Sequence, residues 1–242
     1  MNKKIYIVMP IANEEESIEE LLRSILSLDV NNLHIVTVMD QYSKDRTYDI
    51  VKEMSRENPN IHLIFHDKST GVVSCYIFGF KYALDCGADY IIEMDGGGSH
   101  DPNEIPNFIK YLNQGYDCVF GSRFIKGGGI ENHPFYRRLI SKYGTLLANV
   151  VLGTNFFDMT SGFEGFNRKV LEKIDLDNML SINISHFYQT EMKYYCSGFN
   201  IIEIPIKYRG SKSSLKFKTI YRSFFALFAL KRRGIILKST TF

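Results

Sequence analysis

The first hundred residues alternate between short apolar runs and amphipathic segments, and this alternation constrains the fold more than any other feature of the chain. The apolar runs cover residues 4–9, 33–39, 61–65 and 90–94. The segments between them have the period of helices, at about residues 18–26, 47–56 and 72–86. Strands that alternate with helices of this length predict βαβ units, and therefore an α/β fold with a mostly parallel sheet flanked by helices.

The segment that follows the fourth apolar run, residues 91–102 (IIEMDGGGSHDP), is where we expect a ligand. Ligands of open α/β sheets bind beyond the carboxyl ends of the strands, and Asp95 stands at such an end. The three glycines that follow Asp95 allow close approaches that side chains would block. The alternative is an ordinary solvated turn in which Asp95 or Ser99 caps a helix.

Polar residues also follow the first two strands, with Asn13 and Glu14 after the first and Asp40 after the second. The sheet topology would bring these residues to the same edge as Asp95. This half of the chain therefore looks like a nucleotide-binding domain, although it has neither a Walker A lysine motif nor a G-x-G-x-x-G sequence after its first strand. If a nucleotide binds here, a metal ion or basic side chains must meet its diphosphate.

The second half continues with further helices and strands. We predict helices from residue 103 to about 112 and over 187–197, and strands over 116–120 and 200–206. Residues 158–166 (DMTSGFEGF) are typical of a polar turn that enters a helix. An ordinary capping role for Asp158, Thr160 or Ser161 is the alternative interpretation there.

Arg137 and Ser141 lie four residues apart in a helical pattern, so they share one face of the helix. Arg137 on that face could contact an anion. The alternative is that Arg137 and Arg138 are solvated surface charges.

Charge is unevenly distributed along the chain, although the net charge is only +2. The residues after Pro205 include ten lysines and arginines and no acids, which suggests an anionic partner. The apolar run of this tail is too short to span a bilayer, and two interpretations remain open: an interfacial helix, or a core-packing helix with a basic outer face. The four cysteines lack the spacing of a metal site or a disulfide framework, and no signal peptide precedes the first strand, so we expect a cytoplasmic protein.

Five motifs, taken in order, make the chain resemble the family-2 glycosyltransferases with a GT-A fold, and among them the dolichol-phosphate mannose synthase-like branch. Residues 9–18 (MPIANEEESI) resemble a P-x-x-N-E segment, and DQYSKDRT resembles D-D-x-S-x-D-G-T. The segment MDGGGSHDP resembles M-D-A-D-L-S-H-D-P, and GSRFIKGGG resembles G-S-R-Y-x-x-G-G. Residues 137–153 followed by DMTSGF resemble the acceptor side of that branch.

The resemblance implies a nucleotide-sugar donor linked to UDP or GDP, a divalent cation (Mg²⁺ or Mn²⁺) and a polyisoprenyl-phosphate acceptor at the cytoplasmic face of a membrane, with no nucleic-acid partner. It implies a GT-A domain over residues 1–210, with a donor half at 1–102 and an acceptor half at 103–210, and a basic amphipathic membrane-interface tail at 211–242. The residues that it assigns to the donor nucleotide are Pro10, Asn13, Glu14, Asp40, Gln41 and Asp95. Those that it assigns to the acceptor phosphate are Arg123, Arg137 and Ser141.

A cation would meet Asp95 and Ser99, and Asp95 and Arg123 would take part in catalysis. Mg²⁺ often takes only one or two carboxylates together with substrate phosphates, so this sparse ligand set still suits it. An acceptor phosphate is already an anion and needs no general base. Attack opposite the leaving group would invert the anomeric centre.

Several positions depart from the pattern of the branch. Gly97 replaces the second Asp of D-x-D, which predicts weak cation binding, and His100 could serve as a substitute ligand. Gln41 replaces the second Asp of D-D-x-S, Arg46 replaces the Gly of D-G-T, and Glu164 stands where Arg usually follows T-S-G-F.

These departures keep two alternatives open. One is transfer to a saccharide or glycolipid hydroxyl, for which Asp158 would act as the base. The other is a degenerate homologue that binds nucleotide or membrane without catalysis.

Overall fold

The computed structural model describes residues 3–131, 135–210 and 217–239. The strands are β1 (Ile5–Pro10), β2 (Leu33–Met39), β3 (Ile61–Phe65), β4 (Tyr90–Glu93), β5 (Cys118–Ser122), β6 (Gly129–Ile130), β7 (Glu164–Asn167), β8 (Ile201–Pro205) and β9 (Lys207–Tyr208). The α-helices are α1 (Ile18–Leu26), α2 (Thr47–Glu57), α3 (Val72–Asp85), α4 (Ile105–Asn113), α5 (Phe135–Leu152), α6 (Arg168–Leu171), α7 (Tyr188–Cys196) and α8 (Phe217–Ser239).

A seven-stranded sheet with the order β3-β2-β1-β4-β7-β5-β8 forms the centre of the molecule. The pairs among β1 to β4, and the pair of β5 with β8, are parallel, whereas β7 runs antiparallel to both β4 and β5. Short β6 and β9 form a separate parallel pair. The predicted α/β fold with a mostly parallel sheet is confirmed.

Residues 158–166 are the place where the secondary-structure prediction is wrong. The polar turn leads into strand β7, and the short helix α6 begins only at Arg168. The sequence EGFN has little strand character, and its two neighbours in the sheet supply the hydrogen bonds that hold it extended. Tertiary pairing therefore overrides local propensity at β7.

Alternating side chains of the central strands divide the core into two layers. Ile7 of β1 and Ile92 of β4 face a layer that contains helices α1, α2 and α4. Val8 and Ile91, one position along each strand, face a layer that contains α3 and α7. This is the period-two alternation expected of a sheet that is covered on both faces.

The C-terminal helix α8 has one face packed into the core and one face exposed. Its inner face packs through Ala226, Leu227 and Leu230 against a third core cluster that includes residues of α5. Its outer face exposes aromatic side chains, among them Tyr221 at 60% and Phe225 at 54%. None of the helices in the described ranges combines the length and the apolarity needed to cross a bilayer.

Helix α3 packs against the sheet at Gly79, and we predict that adding one methyl group there destabilises the fold. A Cβ at this position would lie 2.4 Å from Val8 Cγ1 and 2.8 Å from Val38 Cγ2, so the helix would have to move off the sheet. We expect Gly79→Ala to lower the free energy of unfolding by about 2 kcal/mol in urea titrations. Gly144→Ala in α5 is the matched control, because the space around Gly144 is open, and it is expected to raise stability by about 0.5 kcal/mol. Equal effects of the two substitutions would contradict this account.

Candidate active site

The carboxyl ends of β1, β2 and β4 open into a cavity of about 1340 Å³. Its wall also includes the end of β5, the loop before β7, β9, and helices α3, α5, α7 and α8. Most of the predicted site residues line it: Pro10, Asn13, Glu14, Asp40, Asp95, Ser99, Arg123, Arg137 and Ser141. Two predicted residues, Gln41 and Asp158, are not part of the lining.

The loops after β1 and β2 are tied together at the mouth of the cavity. Asn13 has a positive φ of 58°, and its side chain accepts a hydrogen bond from Lys44 N (2.9 Å) and donates one to Tyr42 O (3.2 Å). Asp40 is 7% exposed and accepts hydrogen bonds from Ser69 Oγ (2.8 Å) and Tyr42 N (3.0 Å). The pair of loops is therefore held in place before any ligand arrives.

Gln41, predicted to contact the nucleotide, faces a different part of the molecule. Its side-chain amide donates a hydrogen bond to Ser69 O at 3.0 Å. In the dolichol-phosphate mannose synthase-like branch this position carries the second Asp of D-D-x-S. Here Gln41 instead holds the segment before α3 through its hydrogen bond to Ser69.

Asp95 presents its carboxylate to the cavity, with the side chain 40% exposed. Tyr76 Oη donates to one carboxylate oxygen at 3.0 Å, and Ser99 Oγ donates to the other at 3.0 Å. The sequence does not point to Tyr76, because it lies on the apolar face of α3, where the pattern predicts a core residue. The two donors fix the orientation of Asp95 and leave its remaining lone pairs to the cavity.

His100 is placed as a packing residue rather than as a substitute metal ligand. Its ring is 1% exposed and stacks on Phe163 with a centroid distance of 4.8 Å. Nδ1 accepts a hydrogen bond from Asp95 N (3.2 Å). Burial lowers the pKa of His100, so the ring is neutral at pH 7 and serves to hold the backbone of Asp95.

The residues present at this edge suit a weakly held divalent cation. In the described part of the chain, no group of three or more His, Cys, Asp or Glu side chains could hold a metal ion. Asp95 and Ser99 still offer a carboxylate and a hydroxyl beside the expected diphosphate position, which is a sufficient protein contribution for Mg²⁺. Gly97 stands where the D-x-D motif has its second Asp. A Cβ at Gly97 would lie 2.9 Å from Glu14 Oε1, so the carboxylate of Glu14 lies next to this position.

Arg123 and Asp158 form a buried ion pair behind the cavity wall. Arg123 Nε donates to Asp158 Oδ2 at 2.7 Å and Nη2 donates to Oδ1 at 2.8 Å, while Nη2 also donates to Thr160 Oγ1 at 2.6 Å. Asp158 is fully buried. Burial would raise the pKa of Asp158, but the Arg123 guanidinium outweighs burial and holds this pKa below its usual range.

This geometry corrects the expectation that Asp158 could act as a general base for a hydroxyl acceptor. A base must reach the proton that it removes and must have a pKa near the working pH. Asp158 meets neither condition, because both of its oxygens are held by Arg123 and it does not line the cavity. Its role in the structure is to orient Arg123, which does line the cavity.

Helix α5 brings a second arginine to the same cavity. Arg137 and Ser141 both line it, as their four-residue spacing predicts, whereas Arg138 is exposed elsewhere on the helix. Arg137 Nε is buried and has no hydrogen-bond partner among the described residues. A buried donor without a partner is costly, which is the arrangement expected where an anionic ligand completes the site.

Beneath the site, three charged side chains without solvent exposure meet: Glu93, Glu164 and Lys193. Glu93 and Glu164 face each other across the β4–β7 pair, and Lys193 Nζ lies 2.9 Å from Glu164 Oε1. Burial, followed by repulsion from Glu164, raises the pKa of Glu93 well above its usual range. Glu93 Oε2 accepts a hydrogen bond from Tyr188 Oη at 2.8 Å.

The raised pKa of Glu93 predicts a specific pH dependence of stability. A group whose pKa is higher in the folded state stabilises the fold below its unfolded pKa of about 4.5, and this contribution is lost as the pH rises towards the folded pKa. Glu93→Gln keeps the shape of the neutral acid but cannot ionise. We expect the variant to gain stability relative to the parent protein as the pH is raised from 5.5 to 7.5, measured by urea unfolding. The exposed Glu172→Gln is the control, and a stability difference for Glu93→Gln that is independent of pH would contradict the assignment.

Comparisons with known proteins identify the family of the chain. Residues 6–175 match the family described as Glycosyl transferase family 2. The chain is 32% identical over 207 residues to an undecaprenyl-phosphate mannosyltransferase of Micrococcus luteus, covering 85% of this chain and 83% of the relative. It is 34% identical over 224 residues to a dolichol-phosphate mannosyltransferase of Pyrococcus furiosus, covering 90% of this chain and 61% of the relative.

The fold also matches a solved glycosyltransferase. The crystal structure of glucosyl-3-phosphoglycerate synthase from Mycobacterium tuberculosis, in complex with Mn²⁺, UDP and phosphoglyceric acid, superposes with a TM-score of 0.61 at 14% identity. The match covers 91% of this chain and 75% of the synthase. The matched family profile covers well over half of the chain, and two relatives exceed 30% identity. The chain therefore belongs to glycosyl transferase family 2 and is a glycosyltransferase with the GT-A fold.

Proposed function

We propose that this glycosyltransferase moves a sugar from a nucleotide-sugar donor to a polyisoprenyl phosphate at the cytoplasmic surface of a membrane, with inversion at the anomeric centre. Mannose is the first candidate, since the named relatives are mannosyltransferases. The observation that carries the proposal is that a single cavity has acidic, basic and apolar parts. Carboxylates line one part of it, two arginines line the next, and apolar side chains of α5 and α8 line a further part.

The apolar part of the cavity suits the lipid portion of the acceptor. It is lined by Ile140 and Leu147 of α5 and by Ile220, Phe224 and Leu227 of α8. The hydroxyls of a free sugar acceptor need hydrogen-bond partners, which these side chains do not provide. A prenyl chain, in contrast, removes apolar surface from water in such a cleft.

The basic part of the cavity suits the acceptor phosphate. Arg137 presents a donor without a partner, and Arg123 adds a guanidinium whose pKa is raised, with burial outweighed by the attraction of Asp158. A phosphate is an anion at neutral pH and attacks without a general base. The absence of a suitable base at Asp158 therefore favours a phosphate acceptor over a hydroxyl acceptor.

The donor is expected at the ends of β1, β2 and β4. Pro10, Asn13, Glu14 and Asp40 would surround the nucleoside, and Asp95 would face the diphosphate. A divalent cation bound by Asp95 and Ser99 would neutralise the charge that develops on the departing nucleoside diphosphate. Tyr76 supports this role by fixing the Asp95 carboxylate through its hydroxyl.

The outer surfaces of α5 and α8 support a position on the membrane. Phe135 and Val150 of α5 are 72% and 74% exposed, and α8 adds its exposed aromatic side chains and the exposed Arg222 and Arg232. Aromatic side chains flanked by cations are typical of helices that lie in the membrane interface. The four cysteines are free, which suits a reducing, cytoplasmic setting.

A transfer assay tests the proposed reaction. Purified protein would be given GDP-mannose or a UDP-sugar, Mn²⁺ or Mg²⁺, and a short polyprenyl phosphate. We expect Arg137→Ala to raise the KM for the lipid phosphate at least ~10-fold, because one charge-assisted hydrogen bond contributes about 1.5–3 kcal/mol, while donor binding stays unchanged. Arg138→Ala, one residue along α5 and outside the cavity, is the matched control. Lipid-independent transfer to a saccharide, or no turnover with any donor and acceptor, would overturn the proposal.

Vesicle binding tests the membrane surface. Removing both aromatic rings in Tyr221→Ser/Phe225→Ser is expected to weaken binding to vesicles containing phosphatidylglycerol by about tenfold, since each ring loses part of its burial free energy. Phe65→Ser is the control, because Phe65 is similarly exposed, at 50%, on the edge strand β3. Binding should also weaken with added salt, as expected for screened charges. An equal loss in the control would show that these aromatic residues are not the contact.

A further inference from the structure

Two polar side chains line the cavity without a role in the proposed donor and acceptor sites: Ser161, on the loop between α5 and β7, and Gln189, at the start of α7. Ser161 is 2% exposed, and its Oγ has no hydrogen-bond partner among the described residues. Gln189 reaches over the loop from α7, and a Cβ at Gly162 would lie 2.9 Å from its Nε2. Ser161, Gly162 and Gln189 all line the cavity.

The position of Ser161 between two anchored neighbours indicates what it would meet. On one side, Thr160 accepts a hydrogen bond from Arg123 of the acceptor region. On the other side, Phe163 stacks on His100, whose Nε2 lies 3.9 Å from Asp95 Oδ2 in the donor region. Ser161 and Gly162 thus bridge the region expected to hold the acceptor phosphate and the region expected to hold the donor diphosphate.

The group that lies between an acceptor phosphate and a donor diphosphate is the sugar that passes from one to the other. We propose that the Ser161 hydroxyl and the Gln189 side-chain amide form the subsite that binds hydroxyl groups of the transferred sugar. This inference rests on the proposed function, and it adds two binding residues that contribute to sugar selection.

The chemistry of both groups fits a polyol. A serine hydroxyl and a glutamine amide can each donate and accept hydrogen bonds, which matches sugar hydroxyls, whereas phosphate oxygens need donors only. The loop is also well fixed for this task. Lys193 Nζ donates to Ser161 O at 2.7 Å, so the backbone that carries the hydroxyl is held from below.

Binding measurements distinguish a sugar subsite from a phosphate subsite. The affinities of GDP and GDP-mannose, and of UDP and UDP-N-acetylglucosamine, would be measured by calorimetry with Mn²⁺ present. For the nucleotide-sugar that the parent protein binds, we expect Ser161→Ala and Gln189→Leu each to weaken affinity about 5- to 10-fold, the value of one hydrogen bond. The affinity for the matching nucleoside diphosphate should stay within about twofold.

Ser181→Ala is the matched control for Ser161→Ala. Ser181 is also fully buried with an unpartnered Oγ, but it does not line the cavity. Urea unfolding of each variant separates a loss of fold from a loss of binding, and Gln189→Leu provides a second test on a less buried residue. A deoxy analogue of the bound sugar, lacking the hydroxyl that meets Ser161, should bind the parent protein and Ser161→Ala equally.

The outcomes separate the two proposals. If the parent protein binds a nucleotide-sugar and neither substitution changes its affinity, the sugar subsite is wrong while the proposed function stands. If the substitutions weaken the nucleoside diphosphate as much as the nucleotide-sugar, the groups serve the diphosphate and the inference is overturned. If the parent protein binds no nucleotide-sugar at all, the proposed function fails and the sugar subsite fails with it.

Discussion

A single buried ammonium group, that of Lys193, holds together the acidic interior beneath the site. It forms an ion pair with Glu164 and donates a hydrogen bond to the loop at Ser161 O. Burial raises the pKa of Glu203, and Lys193 partly offsets this rise. For Asp158, Lys193 adds to the effect of Arg123, which holds the pKa below its usual range against burial. Removing one partner of a buried charge pair leaves the other uncompensated, so Glu164 of β7 and the loop at Ser161 both depend on this one charge.

Lys193 also explains one departure from the motifs of the family. The resemblance places an arginine at the position of Glu164, so this chain has an acid where a base is usual. A buried glutamate beside Glu93 would be strongly unfavourable by itself. The structure supplies the missing positive charge from α7, through Lys193, so the reversal at Glu164 is balanced within the fold. No comparable replacement stands at Gly97, where the side chain of Glu14 is the nearest carboxylate.

Local sequence patterns were sufficient for the parallel strands and for the residues that follow them. Strands β1, β2 and β4 are apolar runs that are buried along nearly their whole length. Asp40 and Asp95 reach one edge because parallel strands end there. Strand β7 was missed because its sequence is polar and its neighbours in the sheet are distant in the chain. For the same reason the sequence does not predict the roles of Asp158 and Tyr76. Their hydrogen-bond partners, Arg123 and Asp95, are distant in the chain and come close only in the folded structure.

The antiparallel strand β7 has a mechanical consequence. It lies between β4 and β5, so every main-chain hydrogen bond that joins the two parts of the sheet passes through it. The loop with Thr160 and Ser161 leads directly into this strand and is thereby anchored to the centre of the sheet, where β7 is paired on both sides. The opposite wall is formed by helices α5 and α8, which lie outside the sheet and pack on each other. We therefore expect any adjustment to substrates of different size to come from these helices, along the apolar side of the cavity.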